Sequence, residues 1–187
     1  MEDTRARVIA AARAAFAAHG YGGAGLRGIA ADAGLSAMAL YTYAPSKAAL
    51  YELVYREGIA TIYGEFAEVV ADRSSLDDEI DALFAKGGEL LQRDPDLLRF
   101  SIRVVLDRDH PELADLELIT EPYQDFFHDL VERNVARGDV APEQSADLVR
   151  AITMQLWGLT AMAAVDPAHI EPAVHAATAA LEGHLAR

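Results

Sequence analysis

At 187 residues, 52% of them hydrophobic and none a cysteine, the chain can fold one or two domains, and disulfides and thiolate metal sites are excluded. A net charge of −14 rules out attraction to nucleic acid over the whole surface, so any such surface must be local. No charge-free apolar run reaches about 18 residues and the MEDTRARV start has no basic or apolar leader segment, so a cytoplasmic protein is expected, with no membrane span.

Glycine and proline punctuate about nine predicted helices, with no convincing strand, so the fold class is all-α. The first helix runs from Asp3 or Thr4 to His19, with Val8, Ala11, Ala12, Ala15 and Phe16 on its core face and Gly20 as its terminator. The second is Leu26 to Ala33, with Leu26, Ile29, Ala30 and Ala33 on one face; Ala24-Gly25 offers it no side-chain cap. Gly34 tolerates a positive φ, and Ser36 can cap a third helix whose Ala39 and Leu40, with Leu35, face back. Two short helices about a glycine turn make a helix-turn-helix, whose second helix suits a DNA major groove.

A fourth helix runs from Ser46 to about Ala71 and is long enough to bridge two domains; Leu50, Leu53, Val54, Ile62, Phe66 and Val69 are available for packing. Ser75 caps a fifth helix that ends near Arg93. Asp94 and Pro95 open the sixth, which stops at Asp109-His110-Pro111. The seventh spans about Glu112 to Arg137, is kinked or split at Pro122, and is closed by Gly138. Pro142 opens the eighth, to about Val165. The ninth opens at Asp166-Pro167 or Glu171-Pro172, and the later start spares it a proline in its interior. No repeat or low-complexity linker interrupts the series, and the predicted domains are 1–47 and 48–187.

Charge supports that division. Residues 1–47 hold five basic side chains (Arg5, Arg7, Arg13, Arg27, Lys47) against three acidic ones (Glu2, Asp3, Asp32), a net of +2. The remaining eleven basic and twenty-seven acidic side chains give 48–187 a net of −16, which DNA would repel.

TRARVIAAARAAFAAHGYGGAGLRGIAADAGLS followed by ALYTYAPSKAAL resembles the TetR family of transcriptional repressors over about the first 55 residues. The resemblance implies a homodimer that binds a palindromic double-stranded operator through its three N-terminal helices. It implies C-terminal helices that dimerise and enclose a small-molecule pocket, with ligand binding shifting the fourth helix and releasing DNA. Matching the motif puts Arg27 near phosphate or the groove, Ser36, Ala37 and Met38 at the exposed start of the third helix, and Tyr41, Tyr43 and Lys47 at backbone-contacting positions. The chemistry agrees, since phenol and ammonium donors reach phosphate oxygens with little sequence information. Each has a plainer reading: Tyr41 as core, Lys47 and Met38 as ordinary surface, Arg27 as the ion-pair partner of Asp32 or Asp3.

Some positions depart from the family. The usual histidine is Tyr43 here, the usual phenylalanine is Ala44, and the usual Thr or Ser cap of the second helix is missing. Ala37 and Met38 offer base edges no hydrogen bonds, so readout is expected from thymine methyls, Arg27 and DNA shape.

The rest of the chain matches the family only in helical layout, with Leu156-Trp157-Gly158 similar to a stretch in some of its C-terminal domains. Ligand-lining candidates are Phe84, Leu91, Phe100, Arg103, Val104, Tyr123, Phe126, Phe127, Met154 and Trp157, with Met162 and Arg99 beside them; each alone is better read as ordinary core, or for the arginines as exposed surface. Aromatic and methionine side chains suit an apolar or planar effector. Helical stripes holding Leu148, Ile152, Leu159 and Ala163, then Val174, Ala177 and Leu181, are the candidate dimer interface that the resemblance implies.

No enzymatic constellation is found, and no cofactor or metal is expected. Asp107, Asp109 and His110 form a compact polar cluster that is better explained as a helix end in an acidic loop. His19, His128, His169, His175 and His184 are scattered, and neither HExxH nor a glycine-rich phosphate loop occurs. A helical scaffold, or an activator without ligand control, remains as the alternative to a ligand-released repressor.

Overall fold

Gly20 bends the first helix. In the computed structural model, which describes residues 2–114, 121–165 and 167–185, α1 spans Glu2–Gly23 and Gly20 sits inside it at φ 67°, ψ 179°. That conformation is essentially open to glycine alone. The residue therefore does break the helix, but one more turn follows, with the Ala24 N–H donating to the Gly20 carbonyl at 3.2 Å.

The next two helices follow the sequence closely. α2 is Leu26–Asp32 and α3 is the single turn Ala37–Leu40. Gly34, at φ 71°, closes α2: its N–H donates to Ala31 at 2.9 Å, and the Leu35 N–H to Ala30 at 2.7 Å. Those two bonds make a Schellman motif, which satisfies the last carbonyls of the helix. Ser36 Oγ then accepts the Ala39 N–H at 3.1 Å and starts α3. At the other end of α2, Gly25 is extended and supplies no side-chain cap. A Cβ there meets nothing within 4 Å. Gly25→Ser should therefore stabilise the protein by a few tenths of a kcal/mol, read as a higher urea midpoint at unchanged slope; a lower midpoint would contradict it.

Contacts divide the chain into two units, at positions other than the predicted 47/48 boundary. The first comprises residues 1–60 and 96–119. It holds α1 to α3, the first half of α4 (Lys47–Val70), and α6 (Pro95–Asp107). Ser46 Oγ caps α4 by accepting the Ala49 N–H at 3.0 Å. The core is aromatic: Phe16 lies edge-on to Tyr51 at 4.8 Å and 5.9 Å from Phe100, while Tyr51 meets Tyr21 at 5.3 Å and Phe100 at 4.9 Å. Gly58 lets α4 and α6 touch, since a Cβ there would come within 2.8 Å of Leu97.

The second unit comprises residues 61–95 and 120–187. It holds the end of α4, α5 (Leu76–Arg93), α7 (Glu121–Arg137), α8 (Ser145–Val165) and α9 (Ile170–Leu185). Ser75 caps α5 by accepting the Asp78 N–H at 3.2 Å. Gly87 and Gly88 bring α5 close to its neighbours: a Cβ on Gly87 would lie 3.4 Å from Leu156 of α8, and one on Gly88 3.0 Å from Val174 of α9. Glu79, only 1% exposed, accepts from Arg137 at 3.1 Å and from Asn134 at 2.7 Å, tying α5 to the end of α7.

Some predicted bounds change. The single helix expected over 112–137 is instead a 3-10 turn at Pro111–Leu113 and α7, which starts at Glu121. Pro122 falls in the first turn of α7, where its missing N–H removes no hydrogen bond. The eighth and ninth helices are likewise preceded by 3-10 turns, Pro142–Gln144 and Pro167–His169. α9 starts one residue before Glu171, near the later of the two expected starts; Asp166 lies outside the described residues. No strand occurs among the described residues, and no helix among them is long and apolar enough to cross a membrane.

Candidate nucleic-acid interface

The α2–turn–α3 segment presents the predicted contact residues on an open surface. Met38 is 79% exposed and Tyr41 50%, although both are large apolar or aromatic side chains. Neither is core, because α3 is held by Leu40, which is buried, and by the backbone bonds of the Gly34 turn. Arg27, Ser36 and Ala37 are exposed, and Tyr43 is half-buried. Arg27 makes no ion pair with Asp3 or Asp32 among the described residues, so the pairing considered from the sequence is not formed. Ser36 spends its oxygen on the Ala39 N–H and keeps its own O–H as a donor.

Lys47 is placed by an aromatic ring rather than by a carboxylate. Its ammonium lies 4.6 Å from the Tyr21 ring centroid, within cation–π range. It also stands at the first position of α4, where unpaired N–H groups and the helix dipole favour an anion. Tyr21 is held at both ends. Its N–H donates to Asp107 Oδ2 at 2.7 Å and its hydroxyl to Glu112 Oε2 at 2.5 Å. Burial first, then Glu112, pushes the Tyr21 phenol well above its usual range, and burial with Asp107 does the same to Tyr51. Both therefore remain protonated donors at neutral pH.

Tyr21 and Glu112 carry no site signal in the sequence alone, and Asp107 stands out there only in its polar cluster with Asp109 and His110. The Phe16…Gly20-Tyr21 spacing belongs to the family resemblance and gives Tyr21 no partner; its partners lie 86 and 91 residues away. Thr42 is also exposed beside Tyr41, its hydroxyl donating to the Ala39 carbonyl at 2.7 Å.

The ligand candidates do not form one set. Phe100, Arg103 and Val104 fall in the first unit. There Phe100 and Val104 are buried core, and Arg103 Nε donates to the Ala17 carbonyl at 3.4 Å. Phe84, Leu91, Phe126, Phe127, Met154 and Trp157 fall in the second unit. Phe84, Leu91 and Phe127 are buried there, and Phe126 and Trp157 partly so. Met154 and Met162 point away from that core, 74% and 52% exposed. Arg99 is exposed and pairs with Asp96 at 3.5 Å. The side chain of Tyr123 lies outside the described residues. Phe126 and Phe127 join Tyr63 and Phe66 in an aromatic cluster with centroids 5.2 to 6.2 Å apart.

The expected dimer stripe is also placed differently. Leu148, Ile152, Leu159, Ala163, Ala177 and Leu181 are buried within a single chain. Val174 is half-buried against Gly88. Helical spacing marked a buried face correctly, but the cover is the chain's own α5 and α7. No group of three or more metal-ligating side chains occurs among the described residues.

Residues 8–54 match the family model for bacterial regulatory proteins of the tetR family. Over this segment the chain is similar to bacterial regulatory proteins of the tetR family. The match covers α1 from Val8, the helix-turn-helix and the start of α4, the segment that carries the exposed donors.

Solved structures agree in fold over nearly the whole chain. A TetR transcriptional regulator from Chloroflexus aurantiacus is 21% identical, with a TM-score of 0.79 over 100% of this chain and 96% of that one. A protein solved to explain the control of antibiotic production by bacterial hormones is 22% identical, with a TM-score of 0.77 over 95% of each chain. Salmonella enterica GusR is 21% identical, with a TM-score of 0.76 over 98% and 96%. No curated protein matches the chain in sequence.

Proposed function

We propose that the protein is a ligand-responsive repressor that binds a palindromic operator as a homodimer and is released by a small apolar or aromatic effector. The observation that carries the DNA-binding part is the exposed Arg27, Met38 and Tyr41 of the helix-turn-helix, with the half-buried Lys47 at the start of α4, in the one segment with a positive balance of charge. Tyr41, Tyr43 and Lys47 would hold phosphates, while Met38 would meet thymine methyls.

The dimer surface is proposed on the outer faces of α8 and α9. Met154, Gly158, Ala161 and Met162 form an exposed stripe at helical spacing on α8, and His175, Ala176, Ala179 and Ala180 one on α9. Large exposed methionines are uncommon on a surface that stays wet. The effector reading is supported by the aromatic cluster of Tyr63, Phe66, Phe126 and Phe127 and by the likeness to the protein of the hormone study.

Selection from a random duplex pool tests this reading. A palindromic site is expected, with binding lost in Tyr41→Phe/Lys47→Ala and the preferred bases altered in Met38→Ala. With about three phosphates neutralised per subunit, log K should fall against log salt with a slope near −5 per dimer. Sequence-independent binding, or none, would defeat the repressor reading. An unchanged operator in Met38→Ala would defeat methyl readout alone.

A further inference from the structure

Asp107 is the last residue of α6, where a carboxylate meets the negative end of the helix dipole. Local preference therefore disfavours it, and its compensation comes from far along the chain. Oδ2 accepts both the Tyr21 N–H at 2.7 Å and the Tyr51 hydroxyl at 3.0 Å. Its oxygens also lie 3.2 and 3.4 Å from where a Cβ on Gly20 would stand, so any larger residue there would crowd the carboxylate. Three more contacts from the same stretch of chain reach the end of α1. Arg103 Nε donates to Ala17, Glu112 accepts the Tyr21 hydroxyl, and the His110 ring stands edge-on to Tyr21 at 4.6 Å. The Tyr21 ring so clamped carries the Lys47 ammonium on its face.

We propose that Asp107 is a positioning residue for DNA binding: it fixes the bend at Gly20 and the Tyr21 ring, and through that ring it sets where the Lys47 ammonium meets a phosphate. The inference rests on the DNA-binding reading above. Asp107 itself touches no DNA in this account. Its effect should therefore appear in the electrostatics of binding, which a merely structural residue would not alter.

The test measures affinity for the duplex selected by the wild-type protein, as a function of salt, at a temperature where circular dichroism shows each variant folded. Lys47→Ala should lower the salt slope by about two units per dimer. Asp107→Ala should lower it by a similar amount, and Asp107→Ala/Lys47→Ala no further than Lys47→Ala alone. Asp107→Asn, which keeps an acceptor for Tyr21 and Tyr51, should restore most of the slope. Should the alanine variant not fold, Asp107→Glu takes its place, since it moves the carboxylate by a methylene toward Gly20 and should likewise lower the slope.

Additive losses in the double variant, or a wild-type slope in Asp107→Ala or Asp107→Glu, would overturn the inference and leave the DNA reading intact. Failure of the wild-type protein to bind any duplex in a salt-dependent way would overturn both.

Discussion

Arg137→Ala is expected to cost about 3 kcal/mol of unfolding free energy, the low end of the range for breaking a buried ion pair. Glu79 is buried in the second unit, and Arg137 reaches its Oε1 with two nitrogens, each at 3.1 Å. Removing the guanidinium leaves the carboxylate with Asn134 alone, donating at 2.7 Å. A buried carboxylate with one neutral donor keeps most of its desolvation cost. The low end of the range applies because the Arg137 side chain is 32% exposed and water can follow its removal. Glu79→Leu/Arg137→Leu should recover part of the loss, because no buried charge remains and Asn134 keeps its bond to the Leu130 carbonyl at 2.8 Å, although the Asn134 Oδ1 loses the donor that Arg137 supplies. Urea unfolding at fixed protein concentration measures both, since any self-association would make apparent stability depend on concentration. A loss below 1 kcal/mol in the single variant would mean that the pair is not structural.

Features set by neighbours in the chain were the legible ones. Gly34 and Ser36 announce the end of α2 and the start of α3 because a positive φ and a hydroxyl cap act within four residues. The missing cap at Gly25 was visible for the same reason. Long-range partners were not legible. Glu79 reads as one more acidic residue in an acidic helix start, and it is buried because Arg137 comes from 58 residues away. Asp107 reads as a helix end, and its donors belong to Tyr21 and Tyr51. Periodicity finds a buried face but not what covers it. Leu148, Ile152 and Leu159 fit a dimer interface or the core equally by spacing, and they are buried within their own chain. In the same way Phe100, a candidate for the ligand pocket or for the core, proves to be core, with Phe16 and Tyr51 as neighbours.

Gly20→Ala should lower both stability and DNA affinity, and Gly138→Ala serves as its control. Gly138 also has a positive φ, at 87°, and a Cβ there meets nothing within 4 Å. Alanine at 138 therefore pays only the local conformational penalty, about 1–2 kcal/mol. At Gly20, φ 67° with ψ 179° is a region that side chains rarely enter, at a penalty of about 1–3 kcal/mol. The new methyl would also stand 3.2 Å from Asp107 Oδ1. Either the backbone relaxes, which moves the turn that carries Tyr21, or Asp107 withdraws, which releases the Tyr21 N–H. Both routes disturb the ring beneath Lys47. Gly20→Ala should thus lose operator affinity even under conditions where it is folded, whereas Gly138→Ala, in the second unit, should lose stability alone. For a chain of this size each kcal/mol lowers Tm by about 2–4 °C, so thermal unfolding resolves the stability part. Equal DNA affinity in the two folded variants would show that the bend at Gly20 shapes the fold without setting the DNA-binding surface.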